Sequence, residues 1–259
     1  MSVQITTEQI KELRDATGIS VMQCKRALEE AEGDMKKALA ILKKTSSDIA
    51  LKKVGREAKD GAVTIKNKDK KAVLVALHCE TDFVSRNEDF LNLLDKLGDL
   101  ALSVGVEKMR ANAKEMIDTV IQKTGENIQL GDTYEVNGEI LGTYTHNNKT
   151  GVIVSLSGGD KELARDIAMH ITAMKPEYMS ADEITPDAKQ TMTEIFEKEV
   201  ASIDKPAEIK KKMLDGKIST YFKEKTLLEQ PFIKDGEQTV GKLLEKNKAK
   251  ITEVKRYSI

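Results

Sequence analysis

The chain has 259 residues, about a third of them charged, and its 42 Lys and Arg nearly balance its 43 Asp and Glu. This length can bury a core for one large domain or two to three small ones. A net charge near zero is not that of a nucleic-acid-binding or polybasic membrane-binding protein. We find no secretory signal and no apolar run of about 18 residues, so we expect a cytoplasmic protein. Cys24 and Cys79 fit no metal or redox motif, and free thiols suit a reducing compartment.

Residues 6–44 predict three short amphipathic helices joined by tight turns. Thr6 with Gln9, and Ser20 with Gln23, have the spacing of capping boxes. In size and layout this unit resembles ubiquitin-associated domains, which usually bind proteins. The alternative is that it only caps the N-terminus. We predict a basic, partly helical linker after it.

Strand periodicity replaces helix periodicity beyond this linker. Residues 62–66 alternate and residues 72–77 are continuously apolar, which predicts a hairpin whose second strand is buried on both faces. We then expect a helix capped by Asn87, a helix over 113–123 and a strand over 128–137.

A similar pattern occurs a second time. Residues 142–149 lead into an apolar strand at 151–156, and a helix follows Gly158-Gly159-Asp160. Two such halves indicate an internal duplication. We therefore predict an α+β fold with antiparallel sheets in two similar core subdomains.

Two amphipathic helices then form a predicted helical hairpin. Thr185 is placed to cap the first, with Pro186 at its first position, and the second carries Ile209 to Phe222. This hairpin is either a surface appendage or a coiled coil for a partner or for a homodimer through 186–224. The predicted domains are an N-terminal domain with linker at 1–55, core subdomains at 56–141 and at 142–180 with 226–259, and the hairpin at 181–225.

The strand-to-helix connection is much longer in the first half than in the second. It takes about nine residues at Cys79–Asn87 but only about four before the second helix. The longer connection carries Phe83, and a large apolar group there either packs inward or contacts a partner. Because the fold does not require this length, we favour contact.

The sequence shows no catalytic or metal-binding motif. The three His are isolated, and neither a zinc motif nor a nucleophile elbow is present. His170 lies in an apolar helical run, which favours a structural role. Gly236–Lys242 matches a P-loop pattern, but Leu243 follows where Ser or Thr must hold Mg²⁺. We expect no enzymatic activity, no cofactor and no bound metal.

Several blocks, in the right order along the chain, resemble the bacterial translation elongation factor Ts family. They include Leu13-Arg14-Asp15-Ala16-Thr17-Gly18 and His78-Cys79-Glu80-Thr81-Asp82-Phe83-Val84-Ser85-Arg86-Asn87. The others are 22–28, 33–34, 167–171, 175–176 and 228–232. Gln23 departs from the family, which commonly has Asp there.

The resemblance implies a guanine-nucleotide exchange factor that binds elongation factor Tu, both GDP-bound and nucleotide-free. It implies that Thr81, Asp82, Phe83 and Val84 disturb Mg²⁺ binding in the partner, with Phe83 as a wedge. Direct contact with nucleic acid or membrane is not expected. The alternative is a non-catalytic scaffold that binds through the N-terminal bundle and the hairpin. Further partner contacts implied by the resemblance are Leu13, Arg14, Thr17, Gly18, Met22, His146, Met169 and His170.

Overall fold

The computed structural model describes residues 5–259, so residues 1–4 of the predicted N-terminal domain lie outside it. It combines helices with small antiparallel sheets, which confirms the predicted α+β class. The chain forms two compact units. The first contains residues 5–136 with Thr145–Gly151 and Arg256–Ile259, and the second contains Asn137–Tyr144 and Val152–Lys255. The finer four-part division stays a prediction. No helix over residues 5–259 has both the length and the apolar surface needed to cross a bilayer.

The first unit begins with the three predicted helices, α1 (Thr7–Thr17), α2 (Val21–Glu30) and α3 (Met35–Lys53). Thr6 caps α1 in a complete capping box, with hydrogen bonds of 3.2 and 3.0 Å to Gln9. The predicted box at Ser20 is only half formed. The Ser20 hydroxyl accepts the Gln23 N–H, as a capping box requires. The Gln23 side-chain oxygen, however, accepts a hydrogen bond from that hydroxyl and not from the Ser20 backbone N–H.

The predicted linker is shorter than expected because α3 continues to Lys53. Leu42, Ser46 and Ala50 keep one buried stripe along α3 at intervals of four residues, as a single helix requires. That stripe extends the helix against α6 (Val106–Thr124), where Ser47 donates to Asp118 over 2.8 Å.

The first sheet has the strand order β1 (Asp60–Lys68), β2 (Lys71–Cys79), β3 (Gln129–Asn137). Strands β1 and β2 pair antiparallel, and every residue from Ala72 to Leu77 is fully buried, as predicted. Asn87 caps α5 (Glu88–Val104), also as predicted. The helix predicted over 113–123 is α6, and it begins earlier than predicted, at Val106. Gly105, with a φ of 91°, separates it from α5.

The second unit contains most of a sheet ordered β4 (Ile140–His146), β5 (Thr150–Ser157), β8 (Lys250–Ser258). Helices α7 (Lys161–Met174) and α10 (Val240–Lys246) supply apolar side chains to its core. A small pair of strands, β6 (Pro231–Phe232) and β7 (Asp235–Thr239), was not predicted. Its strands are too short and polar to give a periodic signal.

The predicted helical hairpin is present in the second unit as α8 (Pro186–Ala201) and α9 (Ala207–Lys225). Thr185 accepts the Ala188 N–H over 3.2 Å, with Pro186 at the first helical position. The two helices pack through Phe196 and Tyr221, whose ring centres lie 5.8 Å apart. The homodimer through 186–224 stays a prediction.

Candidate functional site

The long connection between β2 and α5 is a folded segment with its own helix. Residues Asp82–Ser85 form a one-turn helix, α4, where the sequence suggested only a long connection. Thr81 is its N-cap and accepts the Val84 N–H over 3.5 Å. The extra length of this connection is therefore used to build a defined element.

Helix α4 turns Phe83 away from the protein. Phe83 is 84% exposed, more than any other large apolar residue that the structure describes. Its neighbour Val84 packs against the core of the first unit, and Ser85 is buried. An apolar ring in water contributes nothing to folding, so the helix is anchored by its inner side chains and presents Phe83 outward.

Glu126 holds the first residues of this segment. Its carboxylate accepts the backbone N–H groups of Glu80 and Thr81, each over 3.0 Å, and the Thr81 hydroxyl over 2.6 Å. Because the hydroxyl hydrogen points at Glu126, a lone pair is left to accept the Val84 N–H. Charge-assisted bonds of this kind are stronger than neutral ones. Sequence reasoning missed Glu126, which lies far along the chain and beyond α6.

A second set of hydrogen bonds holds the start of the same connection. The Glu80 carboxylate accepts the Asn127 N–H over 2.7 Å, and the Asn127 side chain donates to the Arg56 carbonyl over 2.6 Å. These two hydrogen bonds join the residues before β1 and after α6 to Glu80, the first residue of the connection. The start of α4 is consequently fixed to the end of α6.

Cys79 lies beneath this segment and is chemically inert. Burial raises the pKa of its thiol to about 12, and the carboxylates of Asp60 and Glu126 add to that effect. The thiol is therefore protonated at neutral pH, where only the thiolate is a good nucleophile. Its S–H donates to the Thr81 carbonyl over 3.2 Å, a structural role.

Lys149 holds the other end of α4. Its ammonium group donates to the Asp60 carboxylate and the Gly61 carbonyl, each over 2.6 Å, and to the Ser85 hydroxyl over 3.2 Å. The Ser85 hydroxyl in turn donates to the Asp82 carbonyl over 3.1 Å. Burial alone would raise the pKa of Asp60, but the hydrogen bonds from the Lys149 ammonium and the Gly61 N–H, with the charge of Lys149, outweigh it and lower that pKa.

The surface beside Phe83 is shallow and carries charges of both signs. A recess of about 470 Å³ is lined by Lys59, Asp60, Glu80, Thr81, Asp82 and Phe83. Asp82 pairs with Arg86 over 3.2 Å, and both side chains are well exposed. This arrangement can bind a partner surface by contact. Among residues 5–259, no group of three or more His, Cys, Asp or Glu is placed to hold a metal.

The contact residues predicted in the N-terminal bundle divide into exposed and buried ones. Arg14, Gly18 and Met22 are exposed, and Thr17 is half-buried. Leu13 has no accessible surface and belongs to the core of the bundle, and its assignment as a contact residue stays a prediction.

The backbone of Gly18 lies against another side chain of the first unit. A Cβ atom at Gly18 would collide with the Lys123 side chain, and Lys123 pairs with Asp89 at the start of α5 over 2.8 Å. The end of α1 therefore lies near the helix that follows α4.

The remaining predicted residues also differ in exposure. His146 is exposed and Met169 is half-buried. His170 is fully buried, as a structural role requires, and its assignment as a contact residue stays a prediction. Its Nδ1 accepts the Ile233 N–H over 3.2 Å, so its Nε2 carries the proton and donates to Gln230 over 2.9 Å. Burial lowers the pKa of His170 against an opposing effect of the Gln230 bond.

The P-loop-like stretch does not have the structure of a phosphate-binding loop. Gly236 lies in β7, which is short and largely exposed, and Thr239 ends that strand. The Thr239 hydroxyl caps α10 by accepting the Lys242 N–H over 3.3 Å. A P-loop instead leaves its backbone N–H groups free to surround a phosphate.

Comparison with known proteins gives a consistent result over the whole chain. The model of the family described as Elongation factor TS matches residues 80–259. A curated Elongation factor Ts from Hahella chejuensis is 40% identical over 265 residues, which cover 98% of this chain and 92% of the relative. The chain is also 40% identical to Elongation factor Ts of Nitrosomonas eutropha, over 99% of this chain and 92% of the relative. A third Elongation factor Ts, from Arthrospira platensis, is 40% identical over 89% of this chain and 99% of its own length. The chain therefore belongs to the elongation factor Ts family of translation elongation factors.

Proposed function

We propose that this protein releases GDP from elongation factor Tu by contact, with Phe83 as the group inserted into the partner. The supporting observation is that Phe83 is 84% exposed although α4 itself is anchored at both ends. Thr81, Asp82 and Val84 shape and hold this helix. In this proposal the exposed residues Arg14, Gly18 and Met22 add contacts from the N-terminal bundle.

The proposed mechanism needs only a difference in affinity between two states of the partner. Burying a Phe side chain stabilises a complex by about 1.5–3 kcal/mol. If only the partner state that holds GDP and Mg²⁺ weakly offers a gap for Phe83, binding shifts the partner towards that state. The coupling is reciprocal, so bound GDP weakens the binding of this protein by the same factor. The protein must then bind both GDP-loaded and nucleotide-free elongation factor Tu.

We infer that no covalent chemistry takes place on this chain. The pKa of the Cys79 thiol is about 12, and both ring nitrogens of His170 already have hydrogen-bond partners. The proposed exchange requires neither a base nor a cofactor. It requires neither nucleic acid nor a membrane, and it takes place in the cytoplasm with translation elongation.

The decisive experiment measures GDP release from elongation factor Tu that carries fluorescent GDP. Adding this protein should raise the release rate in a concentration-dependent way until it saturates. Binding with no change in the release rate would instead support a scaffold that acts through the N-terminal bundle and the hairpin. A release rate that is unchanged, with no binding, would refute both.

A homodimer through 186–224 is a separate part of the proposal. Ile195 on α8 and Ile209 on α9 are 43% and 45% exposed, which leaves apolar surface on the hairpin. Light scattering at increasing concentration should then report a rise in molecular mass. A mass that stays monomeric would count against the dimer.

A further inference from the structure

The turn that joins β4 and β5 carries both a predicted contact residue and the lysine that holds α4. His146 begins the turn and Lys149 ends it, and the Lys149 N–H donates to the His146 carbonyl over 2.9 Å. Asn147 and Asn148 between them have φ angles of 50° and 54°, as in the tight hairpin turns that Asn favours. The backbone from His146 to Lys149 is therefore a closed unit.

The backbone of this turn is also fixed from outside. The Asn148 carbonyl accepts the Val63 N–H over 2.7 Å, and the Lys149 carbonyl accepts the Ile259 N–H over 2.9 Å. Strand β1 and the last residue of the chain thus hold the turn from two directions. A side chain that leaves this turn starts from a defined position.

The Lys149 ammonium group uses that position to join three elements. Its acceptors are Asp60 and Gly61 at the start of β1 and Ser85 at the end of α4. Ser85 passes the contact on to the Asp82 carbonyl, which is part of the same turn of helix as Phe83. Three donated bonds satisfy the full donor capacity of an ammonium group. Lys149 is only about a third exposed, so these bonds are partly shielded from solvent.

We propose that Lys149 is a positioning residue that fixes α4, and with it Phe83, relative to the turn that carries His146. Removing its ammonium group leaves Glu126 at the start of α4 and Val84 on its inner side, and it takes away the charged anchor at the C-terminal end of that helix. Phe83 then samples several directions, and each encounter with the partner finds the ring less often in its productive orientation. This proposal rests on the proposed exchange function for its kinetic part only.

The first test needs no partner, because the chain contains no Trp. The Phe83→Trp variant places a single fluorescent reporter on α4. Adding Lys149→Met should lower its fluorescence anisotropy, since the helix that carries the ring is less restrained. Lys149→Arg keeps a cationic donor and should largely restore the anisotropy.

Lys71 provides a matched control. It is a partly exposed lysine that pairs with Glu135 over 2.9 Å, at the end of the β1–β2 hairpin opposite to α4. Lys71→Met makes the same change of side chain and of charge, and it should leave the anisotropy of Trp at position 83 unchanged. If Lys149→Met also leaves it unchanged in a folded protein, the positioning role is refuted.

The second test measures GDP release from elongation factor Tu at sub-saturating concentrations of this protein. Lys149→Met should slow release about tenfold, which corresponds to about 1.4 kcal/mol. In the Phe83→Ala background the same substitution should have no further effect, because the group that it positions is gone. Additive effects would refute positioning through Phe83 and indicate a general loss of structure.

If Lys149→Met fails to fold, a second variant tests the proposal. Ser85→Ala removes the link between Lys149 and α4 together with the bond to the Asp82 carbonyl through which that link continues. Its folding is checked by circular dichroism. It should lower the anisotropy as Lys149→Met does, and no change would refute the proposal. If the wild-type protein does not release GDP at all, the proposed function fails, while the anisotropy measurements still decide whether Lys149 positions α4.

Discussion

The two strand-to-helix connections, after β2 and after β5, differ in length and in what their residues do. After β2 the chain takes Glu80–Asn87 to reach α5, whereas after β5 it takes only Gly158–Asp160 to reach α7. In the shorter connection two consecutive glycines have φ angles of 80° and 75°, and Asp160 caps the helix over 2.8 Å. Each of its three residues has a structural reason to be there.

The longer connection contains residues that folding does not need. Glu126 and Lys149 are used to hold α4, yet α4 buries only Val84 and Ser85 and leaves Phe83 in water. The short junction therefore completes the fold, whereas the extension of the long one presents a side chain. Substitutions in the two junctions should accordingly affect different properties.

Phe83→Ala should give the largest change, a loss of exchange activity without a loss of stability. The lost burial of a Phe ring in the complex, about 1.5–3 kcal/mol, slows GDP release from elongation factor Tu about ten- to a hundredfold. The melting temperature should stay the same, because the ring is 84% exposed in the free protein.

Leu51→Ala is the control for Phe83→Ala. Leu51 is an apolar residue of the first unit that is 66% exposed and lies on α3. Its truncation should change neither exchange nor stability. Exchange at the wild-type rate by Phe83→Ala would show that the long junction does not act through its ring.

Gly158→Ala in the short junction should do the opposite. The left-handed backbone at this position costs a non-glycine residue roughly 1–2 kcal/mol, and the new Cβ would collide with the Lys248 carbonyl oxygen. We expect a clearly lower melting temperature in calorimetry, with the exchange rate per folded molecule unchanged. Gly236→Ala, which lies in open space and has no positive φ, serves as the control.

The sequence predicted the parts of the fold that depend on local pattern. The apolar run at 72–77, the cap at Asn87 and the pair Thr185-Pro186 each specify their element through nearest neighbours in the chain. It also located Phe83, because an apolar residue in a long polar connection is unusual.

The supports of the site were not predictable in the same way. Glu126 and Lys149 are ordinary charged residues whose partners lie 45 and 64 positions away along the chain. Only the tertiary structure brings them to α4. The family motifs include Leu13 and His170 although both are buried, since a motif does not distinguish residues that support a surface from those that form it.

Glu126→Ala should show how much of the effect of the long junction depends on its anchoring. It removes the acceptor of two backbone N–H groups and one hydroxyl, and bonds to charged groups contribute about 1.5–3 kcal/mol each before solvent screening. We expect exchange to slow about tenfold, the effect of about 1.4 kcal/mol, together with a moderate loss of stability.

Glu126→Gln keeps one acceptor oxygen and should retain most of the activity. Thermal melts and GDP-release rates, measured for both variants, separate anchoring from charge. Equal loss in both would mean that the charge of Glu126, and not its hydrogen bonds to the junction, is what matters.

His170 should make the stability of the protein depend on pH. Its pKa in the folded state is below 6.5, so the unfolded chain takes up a proton more readily than the folded one. Its contribution is complete above pH 6.5 and decreases as the pH falls below that value. Chemical denaturation between pH 7.5 and 5.5 should show this decrease, and His170→Gln should remove it.

Asp82→Asn should have the smallest of the five predicted effects, although Asp82 is next to Phe83 on α4. In the free protein Asp82 pairs with Arg86 over 3.2 Å, with both side chains well exposed, and such pairs contribute about 0–1 kcal/mol. The backbone carbonyl of Asp82, not its carboxylate, accepts the hydrogen bond from the Ser85 hydroxyl that links α4 to Lys149. The substitution by Asn leaves this backbone carbonyl in place. We therefore expect exchange to slow less than about fivefold and the melting temperature to stay constant. Raising the salt concentration should reduce the effect further, because exposed charges are screened. A loss as large as that of Phe83→Ala would instead make the carboxylate an equal participant, and the long junction would then present a charge as well as a ring.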